Sequence, residues 1–242
     1  MQSTGDREKV ISISGLVQKV GKNMVLNGID LELYRGECLG VFGLRGAGKT
    51  TLLHAAAGVD RVKVGTIEIL GQRAGKDQAY KAQIGLVTQT PSLFGDLNVA
   101  ENLDLFCTIK RVPPERIEES ISRLQLDDYL RESLPNLKVG VYQRLALGCA
   151  LLNNPEILIV DEIIRDIDLE SRRIILQVLE DYMKPGNNSC LCGFSNMEYV
   201  NYMDRVAWLD DGRICIYSPD EAENLWQNQY TTVPRKRGEQ DV

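Results

Sequence analysis

No run of about 18 consecutive apolar residues occurs in the 242-residue chain, so the sequence encodes no transmembrane helix. Histidine occurs once, at His54, and none of the six cysteines (38, 107, 149, 190, 192 and 215) forms a C-x-x-C pair. Both absences argue against a Cys/His zinc site, and the thiols read as free core residues of a reducing compartment. Basic charge is not in excess: 28 Lys and Arg stand against 34 Asp and Glu, for a net charge of −6. A nucleic-acid partner is therefore not expected, although a local basic patch is compatible with that total. No internal repeat is visible. The polar start, Met1 to Lys9, lacks the apolar stretch of a signal peptide.

The composition is that of a globular protein, 43% hydrophobic and 26% charged. The length fits one domain, or one domain with an inserted lobe. Within it, residues 43–50 read Gly-Leu-Arg-Gly-Ala-Gly-Lys-Thr, the spacing G-x-x-x-x-G-K-[ST]. A buried strand is expected before it, at 37–42, and a helix after it, at 51–57. That strand–loop–helix context separates a phosphate-binding loop from a glycine-rich turn with an incidental lysine. Gly43, Gly46 and Gly48 let the backbone turn its N–H groups inward, and the following helix presents its positive end to an anion. Leu44, Arg45, Ala47 and Thr51 complete the loop. Lys49 is placed to reach the outer phosphates of a nucleoside triphosphate and the Thr50 hydroxyl to sit on Mg²⁺.

Further strands are expected at Val10–Ser14, near Val25–Leu33, at Gly65–Gly71, at Ile84–Thr88, at Glu156–Asp161, near Ser189–Phe194 and as a hairpin near Val206–Ile216 that turns at Asp210-Asp211-Gly212. From Asn98 to Leu152 the apolar residues recur with helical period almost throughout. Pro113-Pro114 opens one helix, Pro135 breaks another and Pro155 ends the stretch. A helix is expected at Leu169–Met183. Strands alternating with helices imply a mostly parallel sheet with helices packed on it, and the helical stretch, about residues 90–155, reads as an insertion between two halves of that sheet. Residues 1–8 and 228–242 read as loose tails. The basic Arg235-Lys236-Arg237 fits a solvated tail or contact with an anionic membrane surface.

Four apolar residues, Ile157 to Val160, lead into Asp161-Glu162, which delivers two carboxylates to the C-terminal edge of the sheet, where ligands bind in open parallel sheets. Asp161 suits Mg²⁺ through water, and Glu162 suits the task of polarising a water toward a γ-phosphate. The alternative is a strand end with two surface acids.

On these motifs the chain resembles the nucleotide-binding subunit of an ATP-binding cassette transporter, over about residues 9–227. The resemblance rests on the loop at 43–51, Gln89 after a strand, Asp161-Glu162, Asp168, and Asp204-Arg205-Val206 followed by Gly212-Arg213-Ile214. It implies an α/β fold with a P-loop NTPase core (RecA-like, mostly parallel sheet), an antiparallel β subdomain and an inserted helical lobe. It also implies ATP and Mg²⁺ as ligands, with Thr50, Gln89 and Asp161 at the metal, a multi-span membrane permease as partner, and a peripheral position on the cytoplasmic face of the membrane. The segment Pro91–Leu103 would face that partner and is most similar to exporter-type cassettes.

The departures from the family pattern fall unevenly. Family members hold each ATP between the phosphate loop of one subunit and a Leu-Ser-Gly-Gly-Gln signature of another. Here that stretch is Leu137-Lys138-Val139-Gly140-Val141. Lys138 removes the serine hydroxyl, and Val139 puts a β-branched side chain where backbone must approach closely. The switch histidine aligns with Ser195, which cannot carry imidazolium charge. His54 reads as structural. The adenine-stacking aromatic aligns with Val20, and Ile163-Ile164 replaces Pro-Thr. The chain's own binding half is thus complete, whereas the half offered to a partner's ATP is degraded. An attenuated ATPase paired with a second, non-identical cassette subunit is expected. A non-hydrolysing regulatory module, a soluble cassette ATPase working on ribosomes or DNA, and a P-loop kinase are the alternatives. Gln89 and the Asp161-Glu162 order weigh against the kinase.

Overall fold

The computed structural model describes residues 7–75, 78–89, 93–184 and 186–230. Three segments rich in apolar residues become β3 (Cys38–Phe42), β7 (Ile157–Asp161) and β8 (Ser189–Phe194). Every residue of β7 and β8 is buried, as in strands covered on both faces. With β6 (Ile84–Val87), β9 (Arg205–Asp210) and β10 (Arg213–Tyr217) they form a six-stranded sheet of order β10-β9-β3-β8-β7-β6. All neighbours pair in parallel except β9 and β10, which form the expected hairpin.

A second sheet, of order β2-β1-β4-β5, is antiparallel throughout: β1 (Lys9–Val20), β2 (Asn23–Tyr34), β4 (Val64–Ile69) and β5 (Gln72–Arg73). The expectation for β1 ended before Gly15, yet the strand continues to Val20. Gly15 takes φ +58°, and the pairing with β2 shifts register between Ile13 and Leu16, a bulge that carries the strand past the glycine. Leu26, Ile29, Ile67 and Ile69 of this sheet share one core with Leu39, Val41, Leu52 and Ile159, so the two sheets and α1 (Lys49–Ala56) pack together.

Between β6 and β7 lie α2 (Val99–Lys110), α3 (Glu115–Leu124) and α4 (Val139–Leu151). Helix is less continuous here than the sequence pattern suggested. From Gln125, which turns at φ +51°, to Lys138 the chain has only two 3-10 turns, because Pro135 and extended backbone at Ser133 and Leu137 interrupt it. Helix α2 opens with a capping box: Asn98 Oδ1 accepts from the Glu101 N–H at 2.9 Å, and Glu101 Oε2 accepts from the Asn98 N–H at 2.8 Å. Buried Asn102 donates to the Phe94, Leu97 and Asn98 carbonyls and so pins the loop before the helix. Of the segment expected to face a membrane partner, Pro91 and Ser92 lie outside the described residues, and Phe94 is 48% exposed.

Helix α5 (Leu169–Met183) has the expected bounds. Helix α6 (Pro219–Tyr230) was not anticipated and extends past residue 227. Its signal was nonetheless present as Ser218-Pro219-Asp220-Glu221: Glu221 Oε2 accepts from the Ser218 N–H at 2.8 Å, and Pro219 holds the first helical position. Residues 1–6 and 231–242, including the basic triplet, lie outside the described residues. No described helix is long and apolar enough to cross a membrane.

Candidate functional site

Strand β3 runs out at the C-terminal edge of the parallel sheet into residues 43–48, which lead directly into α1. The local sequence allows little else. Gly48 sits at φ +108°, and a Cβ there would come within 2.6 Å of Val25 Cγ1. Helix α1 starts on Gly48 with no side-chain cap and no acidic residue in its first turn. Its leading N–H groups therefore face the loop without a competing carboxylate from their own helix.

Lys49, 5% exposed, folds back over the loop. Its Nζ donates to the Gly43 carbonyl at 2.7 Å and the Leu44 carbonyl at 3.3 Å, and pairs with Glu162 Oε1 at 3.0 Å. The Thr50 hydroxyl donates to Asp161 Oδ2 at 2.5 Å. Asp161 and Glu162 are 1% and 8% exposed, which rules out a pair of surface acids at the end of β7. Burial pushes the Asp161 carboxyl above its ordinary range, and the Glu162 charge pushes the same way, against the pull of Thr50 and Lys49.

Glu162 is the most constrained of these residues. It adopts φ +53°, a left-handed conformation costly for a residue with a Cβ, fixed by its N–H donating to the Gly193 carbonyl at 3.0 Å. Its Oε2 accepts from the Ser195 hydroxyl at 2.9 Å and lies 3.4 Å from Arg165 NH1.

Of the residues selected from sequence, Val20, Arg45, Gly46, Gly48, Lys49, Thr50, Thr51, Gln89 and Glu162 line one cavity of about 310 Å³. Gly43 and Leu44 reach it through the carbonyls on Lys49, and Ala47 stays behind it, its N–H bonded to the Leu44 carbonyl. Asp161 joins through Thr50. Ser195 lies in an adjoining cavity of about 240 Å³ that shares Glu162 and Arg165. Sequence reasoning missed Val25 and Arg165, which also line the first cavity. Arg165 left a faint signal, a cation three residues after Glu162. Val25 left none, because only the placement of β2 beside Gly48 brings it there.

The donor set suits a hard divalent cation. A hydroxyl and a carboxylate already touch, and the second carboxylate oxygen, Asp161 Oδ1, is buried without a hydrogen-bond partner. An Mg²⁺ at this pair would take the Thr50 hydroxyl and the Asp161 carboxylate as ligands.

The start of α4 is built differently. Lys138 occupies the N-cap with no side-chain hydrogen bond, and both it and Val139, the latter 58% exposed, face outward. Gly140 faces inward. A Cβ on it would come within 2.3 Å of both Asp168 Oδ2 and Ser171 Oγ, so the glycine is required by packing within the chain. Asp168 caps α5 by accepting from the Ser171 N–H at 2.8 Å, a bond that holds its carboxyl below the usual range. His54 sits in α1, away from Ser195 and Glu162 in the cavity linings, with Nε2 buried and unpartnered.

The sequence pattern of the family described as ABC transporter matches residues 26–165. The lipoprotein-releasing system ATP-binding protein LolD of Maricaulis maris (strain MCS10) is 32% identical over 213 residues, covering 84% of this chain and 93% of that protein. The Nod factor export ATP-binding protein I of Ralstonia nicotianae is 28% identical over 209 residues. The spermidine/putrescine import ATP-binding protein PotA of Bacteroides fragilis is 28% identical over 214 residues. The chain spans 65% of the Nod factor protein and 46% of the spermidine/putrescine protein. Among solved structures, a dimeric ATP-binding cassette in a post-hydrolysis state with ADP and Pi superposes with a TM-score of 0.79 at 21% identity, covering 86% of this chain and 98% of that one. That likeness establishes the fold: a P-loop core with an antiparallel subdomain.

Proposed function

Because the chain belongs to the ATP-binding cassette (ABC) transporter family, we propose that it binds Mg-ATP at the phosphate loop and couples binding and slow hydrolysis to a separate multi-span membrane subunit. The observation that carries this reading is two adjacent pairs at the end of the loop, Lys49 with Glu162 and Thr50 with Asp161. Nucleotide entry exchanges the Lys49–Glu162 ion pair for a Lys49–phosphate contact, which frees Glu162 to accept a proton from the attacking water. Thr50 and Asp161 would hold Mg²⁺, which would supply positive charge against the phosphates. Ser195 keeps Glu162 oriented but supplies no positive charge. Gln89 and Val20 line the cavity that would receive the nucleotide.

The exposed, uncapped Lys138-Val139 start of α4 offers little to an ATP held by a facing subunit. The chain accordingly serves as the partly degenerate half of a heteromeric pair, its own ATP facing a complete signature on a non-identical cassette subunit. The assembly is exporter-type, with this chain peripheral on the cytoplasmic face of the membrane, and no nucleic acid takes part.

Mg-ATP binding and hydrolysis by the purified chain, beside Glu162→Gln, test the site. Binding by both with turnover only in the wild type supports an ATPase. Binding with turnover in neither means that the chain needs a facing subunit with a complete signature, or that it is a nucleotide-gated regulatory module, a second reading that the Ser195–Glu162 contact favours by tying up the base without an imidazole. Absence of binding in both contradicts each. Co-purification with a multi-span membrane protein separates the transporter role from a soluble one.

A further inference from the structure

Strands β3 and β8 pair in parallel with Cys38 opposite Cys190, and Cys192 follows on the same face two residues on. The Cys190 and Cys192 sulfurs are 3.2 Å apart, and the Sγ atoms of all three cysteines lie within 4.8 Å of one another. Cys38 Sγ is also 3.6 Å from Met203 Sδ. Among the described residues this is the only cluster of three or more His, Cys, Asp or Glu side chains spaced to share a metal ion.

Cys190 and Cys192 belong to the apolar core, with Cys38 and Met203 packed against it, and the core opens here onto a cavity. All four residues line a cavity of about 380 Å³, roofed by Leu176, Leu179 and Met183 of α5. Cys190 and Cys192 are 1% and 6% exposed, whereas Cys38 is half-buried. Lys184, Glu180 and Asp204 also border the cavity. Cys38 opens β3, and the cavity runs along β8 to Gly193 and Phe194, which also line the cavity that holds Ser195.

Three thiols and a thioether, with no imidazole in the cavity lining, are a soft donor set. Such donors favour Cu(I) over ions that prefer oxygen or nitrogen. Metal–sulfur bonds of about 2.3 Å place ligated sulfurs roughly 4 Å apart, so side-chain adjustments of less than about 1 Å bring the three thiols into register around one ion. We propose that Cys38, Cys190 and Cys192, assisted by Met203, form a binding site for a thiophilic metal ion of the Cu(I) class. Each ligating thiol releases its proton to solvent and donates a sulfur electron pair to the ion, whose oxidation state does not change. The bound ion staples β3 to β8, the strands that lead to the phosphate loop and to Ser195 respectively. Sequence spacing concealed the site because one ligand comes from residue 38 and the others from a C-x-C pair about 150 residues later.

The test is an anaerobic titration of the purified, reduced full chain with Cu(I) against a chromophoric Cu(I) chelator, with thermal unfolding read in parallel. The expected result is one Cu(I) per chain and a rise in Tm on binding. Cys38→Ser, at the half-buried position, and Cys192→Ser each lower the affinity by roughly 100-fold, since loss of a direct ligand exceeds what supporting groups cost. Cys149→Ala, buried in the helical region, leaves it unchanged. Circular dichroism of each variant checks that it is folded, and the Cys38→Ser result stands if Cys192→Ser does not fold. The proposal is overturned by failure to compete with the chelator, by tighter binding of Zn(II) than Cu(I), or by binding that survives Cys38→Ser. Loss of two titratable thiols to a disulfide in place of metal uptake also overturns it.

Discussion

The end of β7 and the start of α4, the two regions that the proposed function assigns to the two halves of a nucleotide site, are built to different standards. At the end of β7 every functional side chain has a partner: Lys49 on Glu162, Thr50 on Asp161, Ser195 on Glu162. The site tolerates a left-handed Glu162 and a buried, unpartnered Asp161 oxygen to achieve this. At the start of α4 the cap is empty, two side chains face outward, and Gly140, retained along with Leu137, is held by its own chain's Asp168 and Ser171. Strain and buried charge persist where the surrounding structure over-determines them. The first region bears that mark, whereas at the second the close contacts of Gly140 are those of packing.

Four substitutions sharpen or break this contrast. Glu162→Gln, at the first region, is expected to lower steady-state ATP turnover by about 10²- to 10⁴-fold, the range for loss of a general base, while Mg-ATP affinity stays within a few-fold. Equal turnover of both proteins would place the base elsewhere.

Gly140→Ala acts at the second region through packing alone. The new methyl meets Asp168 Oδ2 and Ser171 Oγ, so unfolding free energy should fall by about 1–3 kcal/mol in denaturant titrations, with nucleotide affinity retained. A neutral result would mean that α4 and α5 separate easily.

Asp161→Asn should abolish Mg-dependent turnover yet stabilise the fold at neutral pH, by about 1 kcal/mol. The folded-state pKa of Asp161 is raised, chiefly by burial, so ionising it costs stability once pH rises through that value. Below the ordinary aspartate range both folded and unfolded chains hold the proton and the cost vanishes. Melting curves at pH 7 and pH 4 should therefore show a gain that shrinks on acidification; a gain that grows would reverse the argument.

The smallest effect is that of Lys138→Ser, which supplies the missing cap of α4 and should add about 1 kcal/mol. In a chain of this size that is about 2–4 °C in Tm. Calorimetry showing no gain would mean that another group already satisfies those N–H donors.

The sequence made some of this legible and withheld the rest for identifiable reasons. Strand and helix bounds at Cys38–Phe42, Leu169–Met183 and Ser189–Phe194 were readable because burial on both faces, or one apolar stripe, leaves a local pattern. The phosphate loop and Asp161-Glu162 were readable because their chemistry is contiguous. Contacts set by tertiary register were not: Arg165 and Ser195 meeting on Glu162, Val25 against Gly48, and the fit of Gly140 to α5. Helix α6 is the exception, since its cap at Ser218 and Glu221 was visible and only the weakly apolar stretch after it obscured the helix.

The most direct test of the contrast is Mg-ATP affinity and turnover of the complex assembled with the partner cassette subunit, beside the same complex carrying the double variant Lys138→Ser/Val139→Gly, which restores the start of α4 without touching the phosphate loop. Unchanged affinity is expected, with turnover raised by about tenfold or more, since a restored hydroxyl and freely approaching N–H groups meet the γ-phosphate across a pair of subunits. Unchanged turnover would contradict the claim that this segment limits the site. Altered affinity would contradict the claim that the two regions act separately.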